Sequence, residues 1–189
     1  MDDSSSPAAL HWVADRIAIE EVLARYCRGI DRCDAEELRR VFSDDAMIDY
    51  GDGAQPREET IAGLMTGLSA MRLTHHNIGN VICEIEGDAA RAETYCVAYH
   101  ILPNGEAVGD SGDPAEIEMV VGGRYLDTLV KRAGQWRIAE RLYVMDWNRQ
   151  GPASMEVSGG LYDTLLRRGS RYPEDPSYPW WSQRPKGDS

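Results

Sequence analysis

Long apolar runs and an excess of basic residues are both missing from this sequence of 189 residues. No apolar stretch approaches the ~18 residues that a helix needs to span a bilayer. Residues 1–4 include two aspartates and no basic residue, whereas the start of a secretory signal peptide is basic. Lys and Arg number 20 against 32 Asp and Glu, which gives a formal net charge of −12. Because this charge repels phosphate backbones and anionic lipids, we expect neither nucleic acid nor a membrane surface as a partner.

Cysteine is scarce, and its spacing differs from that of a disulfide framework or a zinc site. The chain has no C-x-x-C pair, and apolar patterns surround its four cysteines, Cys27, Cys33, Cys83 and Cys96. The sequence also lacks G-x-G-x-x-G and P-loop phosphate-binding motifs, the G-x-S-x-G nucleophile elbow and the His-Glu-x-x-His metal motif. We therefore expect a cytoplasmic protein with reduced thiols, with no metal site and no cofactor.

Hydrophobic residues make up 42% of the chain, which is enough for a core in a single domain of this length. Between positions 19 and 30, apolar residues recur at helical spacing, and Gly29 is predicted to end this first helix. Asp34, followed three residues later by Glu37, predicts the N-cap of a second helix that extends through Phe42. A short strand at 47–50 and a third helix at 56–70 complete the first part of the chain.

From residue 72 onwards the apolar period changes from helical spacing to strict alternation. This alternation predicts four long strands, at 74–86, 90–102, 116–131 and 135–147. Gly87-Asp88 and Ala133-Gly134 predict tight hairpin turns, and the glycine-rich and acidic stretch 103–114 predicts a loop. Helices followed by an antiparallel meander predict an α+β fold, with the helices packed on one face of a curved sheet.

Residues 150–189 differ in composition from the preceding 149 residues. They hold five of the nine prolines and two of the five tryptophans, and their acidic and basic residues are equal in number. This difference predicts a main domain at 1–149 and a tail at 150–189, and so many aromatic side chains in a tail are rarely left in solvent. This tail is predicted to pack on its own body or on a neighbouring subunit, with a short helix at 160–168 and an extended segment at 172–181.

Asp31 is the first candidate for a functional residue. It continues the row of Leu23 and Cys27 at a spacing of four, so it lies on the apolar stripe of the first helix. It also lies near a helix C-terminus, where the helix dipole disfavours a carboxylate. Such a carboxylate needs a partner, for which a histidine is suited. The alternative is that Asp31 caps the second helix, a role for which Asp34 is better placed.

Three of the four histidines lie in the strand region. His100 alternates with small residues, Ala92, Thr94, Cys96 and Ala98, and this face leaves room for a cavity. On the preceding strand, alternation counted from Val81 favours His75 over His76 as the inward residue. A bulge at Gly79 would reverse that order. Two histidines near Asp31 indicate a site, and the alternative is that they are hydrogen-bonded structural residues.

Arg141 is the next candidate, because alternation places it with apolar and aromatic neighbours, Ala139, Tyr143, Met145 and Trp147. An arginine in such surroundings either pairs with a buried acid or stabilises an anion. Tyr26 and Tyr50 can add phenolic hydrogen-bond donors. The candidate substrate contacts are Tyr50, His75, Cys96 and Tyr143.

Three segments together resemble the SnoaL-like branch of the nuclear transport factor 2-like superfamily. This branch includes scytalone dehydratase, hexachlorocyclohexane dehydrochlorinase and bile acid 7α-dehydratase. The resemblance covers about residues 10–148 and rests on Tyr26-Cys27-Arg28-Gly29-Ile30-Asp31, His76-Asn77-Ile78-Gly79-Asn80 and Trp136-Arg137-Ile138-Ala139-Glu140-Arg141. It implies a cone-shaped fold, in which the N-terminal helices pack on the concave face of a curved antiparallel sheet.

The resemblance also implies a catalytic dyad of Asp31 and His76, against the strand parity that favours His75. It implies that Tyr26, His100 or Arg141 polarises a carbonyl or protonates a departing hydroxyl. The implied activity is that of a cofactor-free lyase, a dehydratase acting on a hydrophobic ring substrate such as a hydroxysteroid, polyketide or terpenoid. An isomerase or cyclase with the same dyad is an open alternative. So is a non-catalytic pocket protein like the β subunit of a ring-hydroxylating dioxygenase. A homo-oligomer is expected, with a trimer favoured over a dimer.

Overall fold

Helices predominate at the start of the chain and strands in its middle. The computed structural model describes residues 7–103 and 116–183. Its helices are α1 (Pro7–Arg32), α2 (Ala35–Val41), α3 (Arg57–Ser69) and α4 (Ser177–Ser182), with a 3-10 turn at Gly160–Thr164. Its strands are β1 (Phe42–Asp49), β2 (Gln55–Pro56), β3 (Leu73–Glu86), β4 (Ala89–Leu102), β5 (Ile117–Arg132) and β6 (Gln135–Pro152). None of the helices in these ranges is long and apolar enough to cross a membrane.

Asp31 lies in the last turn of α1, just before the connection to α2. The Asp34 carboxylate accepts a hydrogen bond from the Glu37 backbone N–H at 2.9 Å, which confirms the predicted N-cap. The predicted helix end at Gly29 is wrong, because α1 continues to Arg32. A Cβ at Gly29 would lie 2.7 Å from Leu38 Cδ2, so this glycine permits the close approach of α2.

The six strands form one curved sheet in the order β2-β1-β6-β5-β4-β3. Strands β3 to β6 make the predicted antiparallel meander, and the α+β class is confirmed. The sheet is nevertheless mixed, because β1 runs parallel to β6. The predicted strand at 47–50 begins earlier, at Phe42, directly after α2. Of the predicted loop at 103–114, all but Pro103 lies outside the described residues.

The core lies between α1 and the inner face of the sheet. Its fully buried members include Ile19, Leu23 and Ile30 from α1, and Leu129 and Ile138 from the sheet. Each such side chain contributes about 1.5–3 kcal/mol through the removal of apolar surface from water. Because Asp31 directly follows Ile30, the packing of α1 against the sheet places this carboxylate beside β3.

The outer face of the sheet presents several large apolar side chains to solvent. They are about half exposed and come from three strands, Ile82, Tyr95, Val97, Leu142 and Trp147. The ion pairs of Arg124 with Glu93 and Asp146 lie among them, so this face is partly apolar and partly charged. The homo-oligomer inferred from the sequence stays a prediction.

The tail contacts the end of α1 in the same chain. Arg32 Nη1 lies 3.0 Å from Asp175 Oδ2, and the Tyr178 hydroxyl donates to Asp34 Oδ2 at 2.7 Å. The Arg28 guanidinium lies 4.1 Å from the centre of the Tyr178 ring. The helix predicted at 160–168 is only a short 3-10 turn, and residues within the segment predicted as extended form α4. The division into a main domain (1–149) and a tail (150–189) stays a prediction.

Candidate active site

Asp31 and His76 form a doubly hydrogen-bonded pair where α1 meets β3. Asp31 Oδ1 lies 2.7 Å from His76 Nδ1, and Asp31 Oδ2 accepts the His76 backbone N–H at 2.9 Å. Both side chains are less than a tenth exposed, at 9% and 8%. Because an ionised carboxylate only accepts hydrogen bonds, Nδ1 carries the proton of a neutral ring, and Nε2 is its basic nitrogen.

A β-bulge in β3 decides which of the two adjacent histidines faces inwards. The register with β4 shifts between Ile78 and Val81, so β3 carries one extra residue there. His76 therefore points to the same side of the sheet as Val81, and His75 is exposed. The strand parity that favoured His75 is wrong for this reason, and the bulge considered at Gly79 is present.

His76 also lines a cavity of about 310 Å³, which lies at the lower end of the ~300–1,000 Å³ range of ligand pockets. The apolar part of the lining comes from helices and strands, Ile30, Leu64, Leu68, Ala98, Val121 and Met145. The groups with polar atoms are Tyr26, Tyr50, His76, Cys96, His100, Tyr125 and Tyr143. Of the four small side chains of β4 that predicted a cavity, Cys96 and Ala98 lie at its wall, and Ala92 and Thr94 do not.

Two tyrosines that line this cavity are hydrogen-bonded to each other. The Tyr26 and Tyr50 hydroxyl oxygens lie 2.6 Å apart. Burial raises the pKa of both phenols, most strongly that of Tyr26, so both are protonated at neutral pH. One proton is shared between the two oxygens, which leaves the other available for donation to a bound ligand.

His100 is a second imidazole at the wall of the cavity. Its ring lies edge-on to that of His76, with the ring centres 5.4 Å apart. Burial, followed by the proximity of His76, lowers the pKa of His100 to about 4. His100 is therefore neutral at pH 7, and it cannot serve as the protonated acid that the sequence analysis considered. Its Nδ1 is buried without a hydrogen-bond partner among the described residues.

His100 is expected to make the protein less stable as the pH falls from 6.5 to 4. In this interval an unfolded histidine takes up a proton, whereas folded His100 stays neutral until about pH 4. The unfolded state thus binds more protons, so the free energy of unfolding decreases by an amount on the order of 2–3 kcal/mol. Urea unfolding of the wild type and of His100→Gln between pH 7 and 4 measures the difference. Parallel pH dependences in the two proteins would contradict the lowered pKa.

Arg141 pairs with a buried acid instead of lining the cavity. Its Nε and Nη2 donate to the two carboxylate oxygens of Asp127, each at 2.7 Å, and both side chains are fully buried. Burial disfavours the guanidinium charge, but the charge and hydrogen bonds of Asp127 outweigh it and raise the pKa of Arg141. The rings of Tyr26 and Tyr125 flank the guanidinium, with centres 3.9 and 4.1 Å from Cζ.

Of the two roles open for Arg141, the geometry supports the structural one, in which it holds the Tyr26 ring. Sequence reasoning missed Asp127, although strand alternation with buried Tyr125 and Leu129 was a signal for it.

Trp147 does not share the face of Arg141 as predicted. A bulge in β6 itself, where Asp146 is the extra residue opposite Gly122 and Gly123 of β5, turns Trp147 outwards. There its indole ring lies so close to Gly122 that a Cβ would clash.

The four candidate substrate contacts divide into two groups. Tyr50, Cys96 and Tyr143 line the cavity, and His75 does not. Burial raises the pKa of the Cys96 thiol, so it is a neutral wall group with no nucleophilic character. In the two described ranges of the chain, no cluster of three or more His, Cys, Asp or Glu side chains could hold a metal ion.

Comparisons with known proteins agree with this fold. Residues 12–142 match the family described as SnoaL-like domain, and the chain belongs to this family. The uncharacterized protein Rv2910c of Mycobacterium tuberculosis is 28% identical over 135 residues, which cover 69% of this chain and 84% of that protein. The resemblance inferred from the three sequence segments is therefore confirmed.

Two solved structures show the same architecture. The Kfla4162 protein from Kribbella flavida is 28% identical, with a TM-score of 0.63 over 72% of this chain and 93% of that chain. The hexachlorocyclohexane dehydrochlorinase LinA-type3 from Novosphingobium barchaimii LL02 is 17% identical. Its TM-score is 0.64, and the match covers 80% of this chain and 99% of that chain. At this level of identity the second likeness concerns the fold alone.

Proposed function

We propose that this protein is a cofactor-free lyase that eliminates water from a hydrophobic ring substrate. The observation that carries the proposal is the 2.7 Å contact between Asp31 and His76 at the wall of a largely apolar cavity. A buried carboxylate–imidazole pair with no nucleophilic side chain is suited to general-base catalysis.

The base in this mechanism is neutral His76. Its Nε2 takes a proton from a substrate carbon that is acidified by a neighbouring carbonyl. Asp31 keeps the proton on Nδ1 in the ground state, and its negative charge stabilises the imidazolium that forms. The electron pair of the broken C–H bond becomes the new C=C bond, while the C–O bond to the hydroxyl breaks.

The departing hydroxyl needs a proton, and the Tyr26–Tyr50 pair is best placed to supply it. Both tyrosines line the cavity, one proton of the pair is free, and neither His100 nor Arg141 can act as this acid. The tyrosine then recovers a proton from the imidazolium of His76, directly or through water. Substrate thus becomes alkene plus one water, and the protein returns to its starting state.

The cavity also bears on the class of substrate. A volume of about 310 Å³ favours one or two fused rings, or the reacting end of a larger molecule such as a 7-hydroxysteroid. The mostly apolar wall favours a hydrophobic ring, and the tyrosine hydroxyls favour a hydroxy ketone. The dehydrochlorinase of the same fold is named for an elimination, which supports a reaction of this type.

A panel of 7-hydroxysteroids and smaller fused-ring hydroxy ketones tests the proposal. We expect a product lighter than its substrate by one water, with new ultraviolet absorbance because the alkene is conjugated with the carbonyl. Addition of EDTA is expected to leave the rate unchanged, since no step uses a metal. Mass spectrometry distinguishes the outcomes. An unchanged mass with a shifted double bond would indicate an isomerase or a cyclase, and binding without conversion would indicate a non-catalytic pocket protein.

A further inference from the structure

Arg171, in the tail beyond β6, reaches the backbone beside the Asp31–His76 pair. Its Nη1 donates to the main-chain carbonyl of Asp31 at 2.5 Å and to Thr74 Oγ1 at 2.7 Å. Its Nη2 donates to the carbonyls of Leu68 and Met71, each at 3.1 Å. One guanidinium therefore joins the last turn of α1, the end of α3 and the start of β3.

Two of these acceptors belong to, or lie close in sequence to, the two members of the dyad. Asp31 is itself one of them, and Thr74 lies two residues before His76 on the same face of β3. The last carbonyls of a helix have no partner within the helix, so donors from elsewhere must satisfy them. The planar fork of an arginine can serve several acceptors in fixed directions, which a lysine ammonium cannot do.

Arg171 also lines a second cleft, from which water could approach Asp31. A cleft of about 820 Å³ is lined by Asp31, Thr74 and Arg171, and it shares no lining residue with the catalytic cavity. Loss of the guanidinium would expose the carbonyl of Asp31 to this cleft. Water could then compete for the backbone groups that set the direction of the Asp31 side chain.

Other contacts hold the tail in place independently of Arg171. Arg32 pairs with Asp175, and the backbone N–H of Tyr172 donates to the Arg32 carbonyl at 2.7 Å. The Tyr178 hydroxyl donates to Asp34. Substitutions can therefore separate the docking of the tail from the contacts that Arg171 makes beside the dyad.

We propose that Arg171 is a positioning residue for the Asp31–His76 dyad. It fixes the last turn of α1 relative to the start of β3 and so holds Asp31 Oδ1 within hydrogen-bond distance of His76 Nδ1. A segment outside the family-matched residues 12–142 thereby becomes part of the active-site architecture. The significance for catalysis rests on the proposed function, but the positioning itself can be measured without substrate.

The test uses NMR of the full chain with ¹⁵N-labelled histidine. Arg171→Lys keeps the positive charge but not the fork, Arg171→Gln removes the charge, and Tyr178→Phe is the control that removes only a tail contact. In the wild type and in Tyr178→Phe we expect a sharp, slowly exchanging His76 Nδ1–H signal. Both Arg171 variants are expected to exchange this proton at least about tenfold faster. With a converted substrate, kcat should fall about 10- to 100-fold and KM should change little, because a displaced base affects mainly the chemical step.

The outcomes separate this proposal from the proposed function. A His76 Nδ1–H signal with wild-type exchange in both Arg171 variants would overturn the positioning role, whatever the activity. Faster exchange with unchanged kcat would support the positioning role and count against His76 as the general base. If circular dichroism shows that neither Arg171 variant folds, Arg171 is a requirement for folding and the positioning proposal is overturned.

Discussion

Replacement of His76 by alanine is expected to abolish elimination, with little change in circular dichroism or in Tm. The variant removes the only proposed base, and general-base catalysis is worth about 10²–10⁴-fold in rate. The fold should tolerate the change because Asp31 Oδ2 keeps its hydrogen bond from the backbone N–H of residue 76. Initial rates, followed by the ultraviolet absorbance of the product, measure the loss.

Asp31→Asn is the matched variant of the other member of the dyad. An asparagine keeps the shape of the side chain, but it can donate to Nδ1 and so stabilise the wrong tautomer of His76. It also lacks the charge that stabilises the imidazolium, and we expect a loss of about 10²–10⁴-fold. His75→Ala is the control, since His75 is exposed on the other face of β3 and should leave the rate unchanged. Activity close to the wild type in purified His76→Ala would exclude His76 as the base.

Among the substitutions proposed for this protein, Asp127→Asn is expected to lower the free energy of unfolding the most. Asp127→Asn leaves the Arg141 guanidinium charged, fully buried and without its counter-charge. Separating such a pair costs about 3–5 kcal/mol, so the midpoint of urea unfolding should fall sharply. Activity should fall with it, because the guanidinium lies directly against the ring of Tyr26.

A second arginine–aspartate pair in the chain provides the control. Arg132 also donates to both oxygens of its partner, Asp45, at 2.8 and 2.9 Å, but both side chains are more than half exposed. Solvent screens such pairs, so Asp45→Asn should leave the unfolding midpoint almost unchanged. The double variant Arg141→Met/Asp127→Leu should recover most of the stability lost in Asp127→Asn, because no buried charge remains. Equal midpoints for Asp127→Asn and Asp45→Asn would refute this account of the buried pair.

Local sequence patterns determined the order and type of most elements. Alternation predicted the long strands of the meander, and the Asp34–Glu37 spacing predicted the start of α2. Helical spacing also placed Asp31 on the buried side of α1, since Asp31 follows the row of Leu23 and Cys27. These features depend on neighbours within a few residues, which is why periodicity and capping rules could find them. The likeness to the SnoaL-like domain family was likewise visible in short local segments.

The candidate site itself depended on information that alternation does not carry. A single extra residue between Ile78 and Val81 places His76, instead of His75, on the inner face of β3. The reason is that a shift of one residue in a strand reverses the face to which the side chains beyond it point. Parallel pairing of β1 with β6 was invisible for a similar reason, since no local pattern specifies which distant strand lies beside another.

Charged contacts between distant segments were also decided only by the tertiary structure. Arg141 and Asp127 meet because β5 and β6 are paired in one particular register. Arg171 lies 140 positions from Asp31 in the sequence, and only the docking of the tail brings its guanidinium to that carbonyl. The sequence by itself thus determined the helices, the strands and the family, together with Asp31 as a candidate. The tertiary structure decided which histidine meets Asp31, which acid holds Arg141 and which arginine supports the dyad, since each contact depends on strand register or tail docking.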